Sequence, residues 1–288
     1  KVFNSIYRLT NNKHGVKVLR ALIKEVWGKK ISSILEKEAP DLIISTHHHI
    51  NPSTIYNYNP KTPCNTIVTD LGYPHIIWFD KDVSRIITPT EAIAGYARKI
   101  IPAKDGQITH IDYPLKGQFS PGEKTGLSDT ILVMGGGSGS GNILDQVKVL
   151  LKNFPDKKII VVCGNNTKLF NALSKLNSQN FEIYGFVHNL IELYNKSDII
   201  ITKAGPGTIV EAATLRKPLI ITSWVGIQEK DNVDFVVDNK LGICEPKFNR
   251  LLKAIEKIYQ DYNDYTKDQN LFNNGTKKIV EYILREYS

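Results

Sequence analysis

This sequence of 288 residues is poor in the features that mark membrane, secreted and metal-binding proteins. It has no run of about 18 apolar residues, so we predict no membrane-spanning helix. No secretory leader is recognisable. Only three cysteines occur, Cys64, Cys163 and Cys244, and they lie far apart in apolar surroundings without metal-ligand spacing. Such cysteines are typical of the reduced core of a cytosolic protein.

The glycine-rich stretch 135–141 matches neither of the two common phosphate-binding motifs. No register of Gly-Gly-Gly-Ser-Gly-Ser-Gly gives G-x-G-x-x-G, and the strand that follows ends at 163–166 without an acidic residue for a dinucleotide ribose. Gly-Lys-Ser/Thr occurs nowhere, which excludes a P-loop. The stretch still lies between a strand and a helix, where backbone N–H groups can approach a phosphate. A flexible turn is the alternative.

What the sequence does contain is a repeated alternation of short apolar strands and helices. Strands are predicted at 41–45, 65–69, 84–88 and 107–111, then at 130–134, 158–163, 181–184, 198–202, 218–222 and 242–244. This rhythm predicts an α/β fold with mainly parallel, covered sheets. The aperiodic stretch 113–129 is the expected linker, which gives domains 1–120 and 121–288. The last amphipathic helix, 277–286, is predicted to fold back across the linker.

The stretch 201–213 carries the most specific pattern in the chain. A buried strand breaks at a Gly-Pro-Gly turn, and a helix is predicted to start with Thr208 as N-cap and Glu211 in its first turn. Such a helix start favours an anionic or hydroxyl-rich ligand. The carboxylate of Glu211 can accept two adjacent sugar hydroxyls. In the alternative interpretation the two residues form a capping box, in which Glu211 bonds back to the backbone.

Two other loops are expected at the same edge of the sheet. The strand 218–222 opens into the polar loop 223–232, and open α/β sheets bind ligands outside the carboxyl ends of their strands. The loop 185–190 exposes backbone that can recognise the edge of a flat base, with Phe186 as an apolar wall. A plain connection is the alternative for that loop.

Several segments in the right order resemble the family of monogalactosyldiacylglycerol synthases and processive diacylglycerol glucosyltransferases. In the second half they are GGGSGSG, GFVHNL, KAGPGTIVEA, KPLIIT and GIQEKDNVDFVVDNKLGIC, and in the first half PDLIISTHHHIN and TIVTDLGYPHIIWFDKDVSRIITPTEA. More distantly, the chain is similar to the N-acetylglucosaminyltransferase that makes lipid II. The resemblance implies an inverting GT-B glycosyltransferase with two Rossmann-like domains, the second of which holds a UDP-sugar.

Carried onto this sequence, the resemblance implies a donor site for the UDP-sugar. Glu211 would bind the ribose hydroxyls, and the backbone around Phe186 and Val187 would bind the uracil. The turn at 205–208 and the glycine loop would face the diphosphate, with Gln228 and Glu229 beside the phosphate and donor sugar. The full predicted set is Gly136, Gly137, Ser138, Phe186, Val187, Lys203, Gly205, Gly207, Thr208, Glu211, Gln228, Glu229 and Asn232.

On the acceptor side, Asp70 is the predicted general base, because a carboxylate or imidazole must take the proton of an acceptor hydroxyl. His47 is the second candidate, and a capped turn before Gly72 is the alternative role of Asp70. Adjacent histidines at 47–49 point in different directions, so no metal site is predicted. The family's first strand and its His-bearing glycine loop have no counterpart in this sequence. The N-terminal domain is therefore expected to lack its first βα unit.

The charge distribution predicts a partner surface. In the first 30 residues 8 basic residues stand against 1 acidic residue, with Phe3, Ile6, Tyr7, Leu9 and Trp27 interleaved. This pattern predicts peripheral attachment to an anionic membrane, and a solvated basic helix face is the alternative. Nucleic acid is not expected, since no recognition fold or aromatic stacking platform is evident.

Together these features predict a glycolipid-forming enzyme that transfers a hexose from a UDP-sugar to a membrane lipid acceptor, diacylglycerol. The enzyme is expected to be cytoplasmic and peripheral on the inner face of the cell membrane. No metal or other cofactor is expected, because helix N-termini and backbone N–H groups can stabilise the diphosphate. Two alternatives are a UDP-sugar epimerase of the same architecture and a non-catalytic nucleotide-sugar-binding subunit.

Overall fold

The computed structural model describes residues 2–50, 58–59, 61–120, 127–267 and 273–287. The chain forms two compact units. The first unit comprises Lys1–Pro114, Gly226–Asp231 and Lys277–Ser288, and the second comprises Leu115–Val225 and Asn232–Thr276. The changeover therefore follows Pro114, somewhat before the predicted boundary at residue 120, and the last helix belongs to the first unit.

All ten predicted strands are present, with ends that differ by one or two residues. They are β1 Ile43–Ser45, β2 Cys64–Ile67, β3 Arg85–Thr88, β4 Ile108–His110, β5 Thr130–Met134, β6 Lys158–Val162, β7 Phe181–Tyr184, β8 Ile199–Lys203, β9 Leu219–Ser223 and β10 Gly242–Cys244. The helices are α1 Val2–Thr10, α2 Gly15–Glu38, α3 Glu91–Ile100, α4 Ile143–Asn153, α5 Thr167–Leu173, α6 Ile191–Asn195, α7 Pro206–Thr214, α8 Lys230–Asp238, α9 Leu251–Gln260, α10 Tyr262–Thr266 and α11 Thr276–Tyr287. The described helices include none that is both long and apolar enough to cross a membrane.

The first unit is built on a four-stranded parallel sheet in the order β1-β2-β3-β4. One apolar cluster joins Val68 and Ile86 to Ile93 of α3. A separate cluster joins Ile67 and Ile87 to Ile279 and Ile283 of α11. Helices thus cover this sheet, as expected for a sheet of parallel strands.

Helix α2 differs from what its sequence predicts. The apolar residues at 16, 19, 23, 26, 27, 31, 34 and 35 predict one helical stripe, with Lys17, Arg20 and Lys24 on another face. Its predicted apolar face included Val26, Trp27 and Ile34, yet these side chains are 70%, 48% and 52% exposed. Arg20, assigned to the solvated face, instead donates to the carbonyl oxygen of Phe79 at 2.6 Å and lies 3.5 Å from the carboxylate of Asp80. The apolar periodicity predicted the helix, but the packing of the 76–80 segment decides which face is buried.

The second unit holds a six-stranded parallel sheet in the order β10-β9-β8-β5-β6-β7. The chain runs outward from β5 to β7 on one side, then returns to β8 and runs to β10 on the other. The carboxyl ends of β5 and β8 therefore meet at the point where the strand order reverses. Open α/β sheets bind their ligands at this point.

Candidate active site

A cleft of about 270 Å³ lies at the carboxyl ends of the central strands of the second unit. Its lining is polar and glycine-rich on one side and apolar on the other. The lining residues are Lys116, Gln118, Phe119, Met134, Gly136, Gly137, Val162, Gly164, Phe186, Val187, His188, Leu190, Gly207, Thr208 and Glu211. The volume is near the lower end of the range for small-molecule pockets. Seven of the predicted donor-site residues lie together here.

The glycine loop 135–141 is held by backbone contacts. Gly139 has a φ of +57°, and a Cβ added to it would lie 2.0 Å from the carbonyl oxygen of Cys163. A Cβ on Gly164 would lie 2.4 Å from the carbonyl oxygen of Gly137. The two loops can pack this closely only because both positions lack side chains. Ser138, at the exposed tip, projects from a fixed loop rather than from a flexible turn.

The prediction that Thr208 is the N-cap of α7 is wrong. The helix begins at Pro206, with Gly205 as an extended N-cap that makes no side-chain cap hydrogen bond. Thr208 is therefore the third helical residue, and Glu211 lies in the second turn, too far along for a capping box. Proline at the first helical position explains the shift, because its φ suits that position and its missing N–H costs nothing there.

Glu211 faces the cleft and not its own helix start. Its Oε2 accepts a hydrogen bond from the hydroxyl of Tyr194 at 3.0 Å. Burial raises the pKa of Glu211, while the Tyr194 hydroxyl and the charge of Lys116 oppose the rise. A partly buried carboxylate in a cleft, with donors already near it, is suited to accepting the hydroxyls of a ligand.

Lys203 brings positive charge to the start of α7. A Cβ on Gly205 would lie 3.1 Å from its Nζ, and a Cβ on Gly136 would lie 3.3 Å from its Cε. The side chain therefore runs between the glycine loop and the helix N-terminus. A cation, a helix N-terminus and a glycine loop together form a site suited to a phosphate group.

The apolar side of the cleft is formed by the loop 185–190. Phe186 is 51% exposed, and its ring meets His188 edge-on with 5.0 Å between the ring centroids. Val187 lines the cleft beside it. The exposed aromatic ring has the flat, apolar character that a nucleobase requires.

The sequence analysis missed one wall of the cleft. Residues 115–119, assigned to the linker, contribute Lys116, Gln118 and the buried Phe119. Lys116 donates to the carbonyl oxygen of His188 at 3.0 Å, and Gln118 donates to Asn189 at 2.8 Å. The segment has no apolar periodicity from which its position beside the cleft could be predicted. Its lysine is the one sequence feature that indicates a ligand-facing role. Part of the predicted linker, 121–126, lies outside the described residues.

Three predicted donor-site residues lie elsewhere. Asn232 is fully buried and donates to the carbonyl oxygen of Ala204 at 3.1 Å, so it supports the turn before α7. Gln228 and Glu229 belong to Gly226–Asp231, a segment of the first unit. In that unit, the backbone N–H of Ile227 donates to the Asn4 side chain at 3.1 Å.

Asp70 lies at the centre of a buried cluster in the first unit, just after β2. Its Oδ2 accepts a hydrogen bond from Nε1 of Trp78 at 2.8 Å. Burial raises the pKa of Asp70 to about 6, the Trp78 bond opposes the rise, and the charges of Glu229 and Asp231 add to it. A carboxylate with a pKa near neutrality is suited to proton transfer.

The second candidate, His47, is exposed and contacts the same cluster through stacked rings. His47 stacks on His48 at 4.6 Å between centroids, and His48 meets Trp78 at 5.4 Å. Burial lowers the pKa of His47. The side chain of His49 lies outside the described part of the structure. Within the described ranges, no group of three or more His, Cys, Asp or Glu side chains is placed to hold a metal ion.

The architecture is similar to those of two solved enzymes. It superposes on the UDP-GlcNAc 2-epimerase of Neisseria meningitidis bound to UDP-GlcNAc with a TM-score of 0.66 and 14% identity, covering 91% of this chain and 81% of that one. The glycosyltransferase of kitacinnamycin gives a TM-score of 0.64 and 16% identity, with coverage of 91% and 79%. At these identities the likeness concerns the fold alone, and it confirms the predicted GT-B architecture.

Among proteins of the GT-B fold, sequence similarity identifies the family of this chain. The chain belongs to glycosyltransferase family 28, whose C-terminal domain matches residues 130–283. The monogalactosyldiacylglycerol (MGDG) synthase family matches residues 1–102. These matches confirm the resemblance found in the sequence.

Plant enzymes of the second family are similar over most of this chain. A probable MGDG synthase of Glycine max is 33% identical over 258 residues, which is 81% of this chain and 48% of that protein. The MGDG synthase 3 of Arabidopsis thaliana is 31% identical over 287 residues, with coverage of 90% and 58%. The chain thus spans about half the length of the curated relatives that it matches.

Proposed function

We propose that this protein transfers a hexose from a UDP-sugar to a membrane lipid, diacylglycerol, with inversion at the sugar carbon. One observation carries the proposal. A single cleft contains a carboxylate suited to a diol, Glu211, and the start of α7, and Lys203 lies beside the lining residue Gly136. Ribose and diphosphate are the parts of a UDP-sugar that require these groups.

The proposed reaction is a single displacement. Asp70 takes the proton of the acceptor hydroxyl, whose oxygen forms a bond to the sugar C1 as the bond from C1 to the diphosphate breaks. The departing diphosphate gains negative charge, which Lys203 and the N–H groups of α7 and the glycine loop would stabilise. The pKa of Asp70 near 6 supports its role as base, because the group is ionised at neutral pH and still basic enough to accept a proton.

Attachment to the membrane is part of the proposal, since diacylglycerol does not leave the bilayer. On α2, Val18, Leu22 and Val26 follow one another at intervals of four residues and are 60%, 59% and 70% exposed. They lie to one side of Val16 and Ile23, which are buried. An apolar stripe in a strongly basic segment is suited to an anionic lipid surface on the inner face of the cell membrane.

Other residues predicted for this surface differ in their placement. Ile6 and Leu9 of α1 are exposed, at 48% and 72%. Tyr7 instead packs edge-on against His75, with 4.7 Å between the ring centroids. The side chain of Phe3 lies outside the described part of the structure. Trp27 of α2 is 48% exposed, so the exposed stripe of α2 together with Trp27 forms the main apolar element of the proposed surface.

The proposal is tested by product formation. The protein is incubated with diacylglycerol in vesicles and with labelled UDP-galactose or UDP-glucose, and the lipid phase is examined for labelled monohexosyl lipid of β configuration. Labelled lipid is the expected result. Binding of UDP without product would support a nucleotide-sugar-binding subunit, and an epimerised sugar nucleotide in the aqueous phase would support an epimerase. Either result would overturn the proposal.

A further inference from the structure

A buried tyrosine lies behind the carboxylate of the donor cleft. Tyr194, in α6, is wholly buried, and its hydroxyl lies 3.0 Å from Oε2 of Glu211. The ring of Phe119 packs edge-on against it, with 5.9 Å between the centroids. The phenol therefore occupies a fixed position. Because an ionised carboxylate only accepts hydrogen bonds, Tyr194 is the donor of this pair.

We infer that Tyr194 is a positioning residue, which fixes the carboxylate of Glu211 in the orientation that receives the ribose hydroxyls of the nucleotide. This inference rests on the proposed function and extends it to a residue that does not line the cleft. Oε1 of Glu211 has no hydrogen-bond partner among the described residues, so it is the oxygen left for a ligand. Tyr194 does not line the cleft, so it acts on the ligand through the residues that its hydroxyl contacts, Glu211 and the side chain of Thr208.

The hydrogen bond also controls the ionisation of Glu211. Burial disfavours the charged carboxylate and raises its pKa, and the Tyr194 hydroxyl is the largest influence that opposes the rise. Other charged or titratable groups that line the cleft are Lys116, from the 115–119 wall, and His188, from the 185–190 loop. Loss of the phenol hydroxyl would remove one stabilising donor and raise the pKa of Glu211 further.

The sign of the effect follows from the chemistry of the diol. Only the ionised carboxylate can accept two hydroxyl donors, so UDP affinity is full above the pKa of Glu211 and is lost as the pH falls through it. A higher pKa in Tyr194→Phe moves this loss to higher pH. A tyrosine that only filled space would leave the midpoint where it was.

The chain offers a matched control. Tyr184, in β7, donates to Oε2 of Glu182 at 2.9 Å, and neither residue lines the cleft. Tyr184→Phe therefore removes the same chemical group from the same kind of pair in the same unit. It is expected to leave UDP binding unchanged.

The experiment is calorimetric titration of the full chain with UDP between about pH 4 and pH 8, a range that spans ordinary and raised carboxyl pKa values. Tyr194→Phe is expected to bind UDP about threefold to thirtyfold more weakly at neutral pH, with a binding midpoint at higher pH. The inference would be overturned if the parent binds UDP and Tyr194→Phe binds it with the same affinity and the same pH midpoint. Absence of UDP binding by the parent would overturn the proposed function instead.

A measurement on the parent protein applies even if Tyr194→Phe does not fold. The Cζ carbon of Tyr194, labelled with ¹³C, reports on its hydroxyl. Its NMR shift is expected to change with pH at the midpoint found for UDP binding, and to change again when UDP is added. A Tyr194 signal that ignores both pH and UDP would show that the pair has no part in binding.

Discussion

The indole N–H of Trp78 donates to Oδ2 of Asp70 at 2.8 Å, and both residues are buried in the first unit. This bond limits how far burial raises the pKa of the carboxyl group. It also fixes the direction in which the group points. A carboxylate held in this way is suited to proton transfer, and it provides two direct tests of the proposed mechanism.

Replacement of Asp70 by Asn is expected to lower turnover about 10²–10⁴-fold, because the amide cannot accept the acceptor's proton. UDP affinity is expected to stay at the parent value, since Glu211, Lys203 and the glycine loop, which are proposed to hold UDP, belong to the second unit. Initial rates and UDP titration check the two statements. Asp82→Asn is the control, because Asp82 is 58% exposed and pairs with Lys81. Parental turnover in Asp70→Asn would return this residue to a structural role.

Replacement of Trp78 by Phe is expected to shift the acid limb of the pH–rate profile to higher pH. The parent limb is expected near pH 6, where Asp70 becomes protonated and stops acting as a base. Loss of the indole donor raises the pKa of Asp70, so activity is lost at a higher pH than in the parent. The measurement is kcat/KM against pH with detergent-dispersed acceptor. Trp27→Phe, on exposed α2, is the control, and equal midpoints in parent and Trp78→Phe would contradict the assignment.

Replacement of Glu211 by Ala is expected to weaken UDP binding by about 1.5–3 kcal/mol, the cost of losing two charge-assisted hydrogen bonds. Calorimetry on the folded variant measures this change. Glu182→Ala removes a carboxylate that pairs with Lys158 and Tyr184 outside the cleft, and should leave the affinity unaltered. If Glu211→Ala binds UDP as tightly as the parent, the ribose must be held elsewhere.

The sheets were predictable because their strands are short apolar runs bounded by turn residues. Each of β5, β6 and β8 is buried along nearly its whole length, so composition alone was sufficient to locate them. The glycine loop and the turn before α7 were equally visible, since glycine and proline break regular structure at defined points. Their position at one edge of the sheet was also predictable, because open α/β sheets bind ligands outside the carboxyl ends of their parallel strands.

Of the remaining features, the start of α7 had a local signal, the proline, and the others depend on tertiary packing and were not predictable. Thr208 and Glu211 have capping-box spacing, but Pro206 takes the first helical position and moves the helix start upstream. Asn232 was assigned to the polar loop 223–232, yet it lies in α8 and is buried against Ala204. Tyr194 lies in the short helix α6, and its own sequence surroundings do not distinguish it from the apolar residues beside it. Its partner is 17 positions away, and no local pattern indicates the pairing.

The exposed stripe of α2 leads to the last prediction, which concerns membrane attachment. Leu22→Glu is expected to lower co-sedimentation with vesicles that contain phosphatidylglycerol by about fivefold to thirtyfold. The change removes buried apolar area and adds a charge repelled by the anionic lipid. High salt should weaken binding of the parent as well, because exposed charges are then screened.

The matched control is Ala21→Glu, which places the same charge on the next residue of α2. Ala21 is exposed but lies off the stripe formed by Val18, Leu22 and Val26. If insertion of the stripe matters, Leu22→Glu must lose more binding than Ala21→Glu in the same vesicles. If both variants lose the same amount of vesicle binding, the surface acts through its charge and not through insertion of the stripe. Binding that is indifferent to phosphatidylglycerol and to both variants would show that another part of the chain meets the membrane.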